Sequence, residues 1–495
     1  MYLLQDFTSL LMLYAFFLIS YFWLKRFWRN DNLPPGPTPL PLLGNFLQLG
    51  VGEIVTSMTK LRQKYGDIFT IYMGSRPIVV VNGYKLVKQI YLDDGDDYLN
   101  RGDMPPWESF YKGHGLIFTK NIKRWRTLRR FSMPVLRDLG FGKRSTEDHI
   151  QEEISRLVAE LKETKESVFD PRHCFSRAVC NIIFSIMFGN HHKYEDDDID
   201  TVLSCIHDTL VITSSAWGQM YDMFPGLMRI IPGRHQQINN LLKRFSQFVE
   251  TRVQINQRTL DPDNPRDYVD VFLIQVEKEK VNQDGEFNMK NLLACTLQIF
   301  FAGVDTVNTT LIYSFLILLK YPDVLAKLHN EIDHIIGRHR SPTIQDRNNM
   351  PYTEAVINEM QRFTDLAPLG FPRKTIKEVK LKGYTLPKDI DVYPILTSVL
   401  KDPSCFKYPT DFNPENFLNE KGELQKNKAF MPLGAGKRSC LGEPLVRMEL
   451  FLFFVTTLQN FNLKSPVPRE ELDITPNISG LLNFPKPYKV AFISR

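Results

Sequence analysis

Residues 7–24 (FTSLLMLYAFFLISYFWL) carry no charge, and about 18 such residues suffice for a helix to cross a bilayer. Lys25, Arg26 and Arg29 follow at once, with Tyr21, Phe22, Trp23, Phe27 and Trp28 at the boundary. Positive charge on that flank predicts that it stays on the cytosolic side. No basic segment precedes the apolar run and no small-residue cleavage site follows it. The pattern therefore predicts an uncleaved anchor over residues 1–29, not a removed secretory signal. Leu33-Pro34-Pro35-Gly36-Pro37, then Pro39 and Pro41, cannot continue a helix. They predict a stiff extended hinge over residues 30–50 that sets the angle between anchor and body.

Beyond residue 50 the period of the pattern becomes helical. Apolar positions recur at helical spacing over 147–163, 175–188, 236–258, 289–319, 322–336, 351–363 and 444–459. Runs over 67–74 and 77–83 predict one short β-hairpin, and extended pieces recur near 371–393 and 476–494. Long helices with small segregated sheets predict a mainly α, α+β body over residues 51–495, not an alternating βαβ fold.

Composition changes this picture little. With 43% hydrophobic and 24% charged residues the chain is globular, and a net charge of +5 is too mild to point to nucleic acid. The basic run Lys123-Arg124-Trp125-Arg126-Thr127-Leu128-Arg129-Arg130 lacks the series of aromatic stacking platforms that nucleic acid would call for. Cys174, Cys180, Cys205, Cys295, Cys405 and Cys440 show no CxxC and no regular spacing, which excludes a disulfide scaffold and a zinc site. Cys174, Cys180 and Cys295 sit in apolar helical patterns as small buried side chains.

Cys440 differs. It ends the glycine-rich segment FMPLGAGKRSC of residues 430–440, and an amphipathic helix begins at Glu443. Turn N–H groups and the positive end of that helix would stabilise a thiolate. Gly436 and Gly442 would let the backbone approach a flat partner closely. The segment resembles the cytochrome P450 superfamily, whose signature is Phe-x-x-Gly-x-Arg-x-Cys-x-Gly. Gly436, Arg438, Cys440 and Gly442 match in register, and Leu433 stands where the family has Phe. The resemblance implies that Cys440 is the thiolate ligand of a haem b iron and that Arg438 donates to a haem carboxylate. Leu433 alters the packing behind the sulfur, which tunes the iron.

Further signatures extend the resemblance over nearly the whole chain. Glu359 and Arg362 stand i, i+3 on one helix and match the family's buried structural pair. Pro414-Glu415-Asn416-Phe417 has Asn416 where the family has Arg, so that part of the brace must be neutral. Ala302-Gly303-Val304-Asp305-Thr306 matches the oxygen-activating motif. Gly303 would clear space for dioxygen and let the helix bulge. Thr306 would hydrogen-bond dioxygen or an ordered water, with Asp305 as a proton conduit. Trp125 and Arg129 match the haem propionate clamp, and Arg101 and Arg373 match further propionate contacts by position. Lys123, Arg126, Arg130, Lys437 and Arg447 would form a positive patch behind the haem for an acidic reductase.

Substrate-facing positions would be Trp107, Phe110, Phe118, Trp217, Phe224, Ile299, Leu366, Leu369, Leu481 and Leu482, an apolar lining suited to lipophilic molecules. In texture the chain is most similar to the vertebrate microsomal family that oxidises drugs, fatty acids and steroids. That resemblance implies insertion of one atom of dioxygen into a lipophilic substrate. Electrons would come from NADPH through NADPH–cytochrome P450 reductase, with cytochrome b5 as a possible second donor. It also implies the endoplasmic reticulum membrane, with the catalytic domain facing the cytosol. The Asp305–Thr306 pair argues against a haem-thiolate isomerase or dehydratase of lipid peroxides. A haem sensor would need neither an oxygen groove nor a reductase patch.

Overall fold

The computed structural model describes residues 9–21, 32–140, 144–189, 197–280 and 285–495. The helices are α1 (Ser9–Tyr21), α2 (Ile54–Tyr65), α3 (Tyr84–Lys88), α4 (Pro105–Tyr111), α5 (Ile122–Asp138), α6 (Arg144–Glu163), α7 (Arg172–Phe188), α8 (Asp197–Ser214) and α9 (Ala216–Met223). They continue with α10 (Pro225–Met228), α11 (Gln237–Arg258), α12 (Tyr268–Lys278), α13 (Met289–Lys320), α14 (Pro322–Ile335), α15 (Pro351–Thr364), α16 (Thr397–Leu400) and α17 (Glu443–Asn460). The strands are β1 (Ile68–Met73), β2 (Arg76–Val81), β3 (Asn100–Arg101), β4 (Arg373–Lys374), β5 (Val379–Leu381), β6 (Tyr384–Leu386), β7 (Asp391–Pro394), β8 (Phe461–Lys464), β9 (Pro476–Ser479), β10 (Asn483–Pro485) and β11 (Ala491–Ser494).

Everything that positions the site packs on α13. Its 32 residues carry one acid, Asp305, between Lys290 and Lys320, and most of its side chains are buried. The Asn288 side chain caps its first turn by accepting from Asn291 N–H. By composition α13 is apolar enough to cross a membrane, but it is buried in protein on all sides, against α7, α8, α11, α12, α14, α15 and α17. An all-round apolar helix is what such burial requires. The periodic segments read from the sequence correspond to α6, α7, α11, α13, α14, α15 and α17. Helices α2, α8, α9 and α12 were not separately predicted. For α8 the reason is packing against α7, α9, α11 and α13 together, which puts apolar side chains on several faces and blurs the helical period.

The predicted hairpin is β1–β2, joined by a two-residue turn between paired Met73 and Arg76. It belongs to a five-stranded sheet ordered β1-β2-β7-β4-β3, in which β2 and β7 are parallel and the other pairs antiparallel. The last pairing sets Arg101 opposite Arg373. The proline-rich segment is docked on this sheet: Thr70 N–H donates to the Pro35 carbonyl (3.1 Å), and Asn45 accepts from Tyr72 N–H (2.7 Å). The described part of the predicted anchor, α1, exposes Leu10, Met12, Tyr14, Phe16 and Phe17. Residues 7, 8 and 22–24 of the predicted span, with Lys25, Arg26, Phe27, Trp28 and Arg29, lie outside the described residues.

The Glu359–Arg362 pair on α15 is fully buried. Arg362 Nε and Nη2 donate to the carboxylate at 2.6 and 2.7 Å. Its remaining protons reach the carbonyls of Leu400, Pro409, Tyr408 and Asp411. Asn416 donates to both carboxylate oxygens at 3.2 Å, so the neutral amide fills the third place in the brace. Burial still raises the Glu359 pKa, the bonds from Arg362 opposing it. Removing one partner leaves the other charge buried and alone, which costs about 3–5 kcal/mol. Arg362→Ala is therefore expected to lower the unfolding free energy by that amount, and Asn416→Ala by about 1–3 kcal/mol, each read from the shift of the denaturant midpoint at unchanged slope.

Candidate functional site

Between Gly434 and α17 the chain makes a turn of 3₁₀-helix (Gly436–Arg438) and returns so that Cys440 N–H donates to the Leu433 carbonyl (3.0 Å). Gly436 adopts φ +73°, and a Cβ there would lie 1.9 Å from the carbonyl oxygen of Tyr91. The glycine expected to admit a flat partner is thus required by a backbone crossing; at Gly442 a Cβ would meet nothing. Cys440 is exposed, yet desolvation raises its thiol pKa, so the sulfur faces an interior space and not bulk solvent. The N–H groups of Gly442 and Glu443, at the start of α17, and the charge of Arg129 favour the thiolate there, as Glu443 disfavours it.

Four guanidiniums surround this loop. Arg438 donates to the carbonyls of Leu99, Leu116 and Thr119 at 3.1–3.4 Å and lies 4.2 Å above the Trp125 ring. Arg129 donates to the Ser439 carbonyl (2.9 Å), so the predicted Trp125–Arg129 pair grips the cysteine loop from α5. Arg101 donates to the Ile117 carbonyl (2.9 Å) and sits over Phe371, while Arg373 sits over Tyr91. Arg101, Arg373 and Arg438 are only 6%, 5% and 9% exposed. Among the described residues no carboxylate pairs with any of the four. Burial pulls the pKa values of all four down, and repulsion by neighbouring arginines adds to it at Arg373, at Arg438 (to about 7) and at Arg101 (to about 9). Arg101 Nη1 and Arg373 Nε remain buried without a partner. Such a set calls for an anion with several acceptor oxygens.

Across the interior, α13 presents the oxygen motif. Thr306 Oγ1 donates to the Ala302 carbonyl (2.6 Å), and Thr310 and Ser314 repeat this bond one and two turns on. The buried Asp305 carboxylate meets His207 Nδ1 of α8 at 3.2 Å. Gly303, expected to clear space for dioxygen and to let the helix bulge, does neither. The helix is regular α through this position. A Cβ on Gly303 would lie 2.7 Å from Ile183 Cδ1, so the space it clears is filled by α7.

Nearby, Trp107 stacks on Phe118 (4.8 Å, 4°) and meets Phe301 edge-on, while Phe118 approaches Phe371. These rings join the expected lining to the arginine cradle. Trp217 and Phe224, also expected to face substrate, instead pack α9 to its surroundings, Trp217 against His235 and Phe224 against Phe46. Two of the five basic residues expected behind the haem are neutralised: Lys437 by Asp96 (2.6 Å) and Arg447 by Glu443 (2.8 Å). Lys123, Arg126 and Arg130 stay exposed around Phe131 and Phe287.

Sequence reasoning missed His207, Asp96 and Gln298. Gln298 accepts from the N–H groups of Leu116 and Ile117 (2.8 and 2.7 Å) and donates to the His114 carbonyl (3.0 Å), clamping the loop beside Arg438 to α13. The signal was present, as a glutamine amid Leu, Ile and Phe is costly to bury without partners.

Guanidiniums with no acid of their own fit a ligand that brings two carboxylates, and a cysteine thiolate fits its iron. Haem b brings both, and the class that holds it on a helix-rich body of this kind is the haem-thiolate monooxygenases. The chain belongs to the cytochrome P450 family, whose sequence profile matches residues 34–492. It is 48% identical over 471 residues to cytochrome P450 2G1 of Rattus norvegicus, covering 95% of each chain. To cytochrome P450 2A4 of Mus musculus it is 45% identical over 492 residues, covering 99% of each. It is a P450 monooxygenase with haem as its cofactor.

Gln298→Leu strands the buried N–H of Leu116 and the partly buried N–H of Ile117. It is expected to destabilise the fold by about 1–3 kcal/mol and to speed hydrogen exchange at Leu116 and Ile117, measured by exchange mass spectrometry.

Proposed function

We propose that this P450 inserts one atom of dioxygen into a lipophilic substrate such as a xenobiotic, a fatty acid or a steroid. Electrons come from NADPH through NADPH–cytochrome P450 reductase, with cytochrome b5 as a second donor. The observation that carries this reading is the ring of acid-free, buried guanidiniums about the Cys440 loop, facing the Asp305–Thr306 pair.

Arg101, Arg129, Arg373 and Arg438 would hold the propionates, Trp125 supports Arg438 through its ring face, and Cys440 would ligate the iron. When bound, the haem supplies dioxygen activation, with the thiolate pushing electron density toward it. Thr306 holds a water or a proton at Oγ1 by exchanging its bond to the Ala302 carbonyl, and Asp305 is the acid behind it. The stacked Trp107 and Phe118 exclude water and favour apolar substrates. Lys123, Arg126 and Arg130 steer an acidic electron donor, whose docking is screened by salt.

The exposed apolar α1 supports membrane attachment over residues 1–29, with residues 51–495 as the catalytic domain in the cytosol. A second apolar face supports the same placement. Leu40, Leu42, Leu43 and Leu47 are exposed beside α9, as are Leu227 and Ile230 beyond it, the two segments joined through Phe46 and Phe224. These features suit the endoplasmic reticulum surface.

Two measurements test this reading. The reduced protein with carbon monoxide should show the red-shifted Soret band of a thiolate-ligated haem, and Cys440→Ser should abolish it; an unshifted band in the intact protein overturns the ligand. In Thr306→Ala, NADPH consumption should continue while product gives way to peroxide, and unaltered coupling removes the role of Thr306.

A further inference from the structure

The acid beside Thr306 has a partner that its motif does not contain. Among the described residues, the His207 imidazole is the one side chain within hydrogen-bonding distance of the Asp305 carboxylate, with Nδ1 3.2 and 3.3 Å from its two oxygens. Asp305 is 5% exposed and His207 34%, so the pair runs from the interior toward solvent. His207 is held in this pose by an edge-on contact with Phe484 of β10 (5.6 Å, 88°). Among the described residues no protein group bonds its Nε2.

His207 lines a cleft between α7, α8, α13 and the C-terminal strands, with Arg172, Asn308, Thr309, Phe484 and Tyr488. Both cations in that wall already have carboxylates: Arg172 is bidentate on Asp170, and Lys486 bonds Asp473. Among the described residues the cleft therefore has no charge left unpaired with which to hold an ionic ligand, His207 being paired with Asp305. Asn308, one turn beyond Asp305, leaves its buried Oδ1 without a partner. A buried acceptor of that kind, beside the polar groups of Arg172, His207 and Thr309, wants water. We infer that His207 is the proton relay of this enzyme, passing protons from cleft water to Asp305 and so setting the rate at which the Asp305–Thr306 pair is reloaded. The inference rests on Asp305 acting as the proton source proposed above.

The step balances simply. The Nδ1–H bond of the imidazolium breaks as an O–H bond forms on Asp305, leaving neutral imidazole. The neutral ring keeps its Nε2–H, so once Asp305 has passed its proton inward it is the bare Nδ1 that takes one proton from hydronium or a buffer acid entering from the cleft. One solvent proton is moved per cycle and the ring ends as it began.

Burial disfavours the imidazolium, but the hydrogen bond and charge of Asp305 outweigh it and hold the His207 pKa above the ordinary histidine value. Arg172 opposes the charged form and Asp208 supports it. Asp170, Lys486 and the buried Tyr488 are the other titratable groups on this side. The charged, proton-donating ring is thus present on the acid side of that raised value and lost as pH rises through it.

Carbethoxylation of His207 by diethyl pyrocarbonate, followed by peptide mass spectrometry across the neutral pH range, reads the ring directly without turnover. The expected midpoint lies above about 6.5 and falls by about one unit in Asp305→Asn, the low end of the effect of a neighbouring opposite charge. An unreactive His207, or a midpoint indifferent to Asp305→Asn, overturns the inference. In the haem-loaded enzyme with reductase and NADPH, coupled product formation should decline as pH rises through that midpoint. His207→Gln should lower it about tenfold, less than the roughly 100-fold of an acid acting directly. His207→Arg, which keeps the ion pair and hence the fold, should remove the pH dependence. A native pH profile in both His207 variants, with coupling lost in Asp305→Asn, overturns the relay and leaves the role of Asp305 standing. Intact coupling in Asp305→Asn overturns that role as well.

Discussion

Like charges brought together in a dry interior repel strongly, and this fold places the guanidiniums of Arg101, Arg129, Arg373 and Arg438 around one space. Each comes from a different element: β3, α5, β4 and the 3₁₀ turn before Cys440. Backbone carbonyls and aromatic faces take part of the load, through Leu99, Leu116, Thr119, Ile117 and Ser439 and through Trp125, Phe371 and Tyr91. Neither cancels a positive charge. On the function proposed above the remainder would fall to the carboxylates of the cofactor, whose binding would then stabilise the folded chain through the same contacts that orient it. The sheet, α5 and the cysteine loop must therefore be rigid together; the Gln298 clamp ties the Leu116–Ile117 loop beside Arg438 to α13, and the buried Glu359–Arg362 brace fixes the 400–416 segment to α15.

Helix α13 divides its labour by residue. Gly303 lets Ile183 of α7 approach, which fixes the helix in place. Gln298 holds the loop of Leu116 and Ile117, and Thr306 closes on Ala302. Asp305 reaches the other way, to α8 and the cleft. In a helix this apolar, every buried polar side chain needs a partner, and the partners link the interior to three separate parts of the chain. On the opposite face, the pairing of Lys437 with Asp96 and of Arg447 with Glu443 confines the free positive charge to α5. That narrows the surface an acidic protein would meet to Lys123, Arg126 and Arg130.

Much of this was legible along the chain. Long helical periods located the major helices, and the match of Gly436, Arg438, Cys440 and Gly442, of Glu359 and Arg362, and of the 302–306 motif to the cytochrome P450 signatures implied the chemistry. Such features are local: a turn, one helix face, or consecutive residues determine them, so the order of amino acids is enough. The replacement of arginine by Asn416 was likewise readable, because the site it fills lies in a fixed segment and the loss of a charge needs only a neutral donor.

What the sequence could not determine is which distant segments would meet. Asp305 and His207 are 98 positions apart, Asp96 and Lys437 are 341, and nothing in either local pattern names the other. The same holds for the glycines: Gly303 and Gly436 looked as though they made room for a ligand, whereas Ile183 and the Tyr91 carbonyl occupy the room they make. The sequence by itself determined the class of chemistry, because ligand and motif lie within single loops and helices. Tertiary structure alone decided how charge is shared around that chemistry, because partners for buried charges are supplied by packing between elements remote in the chain.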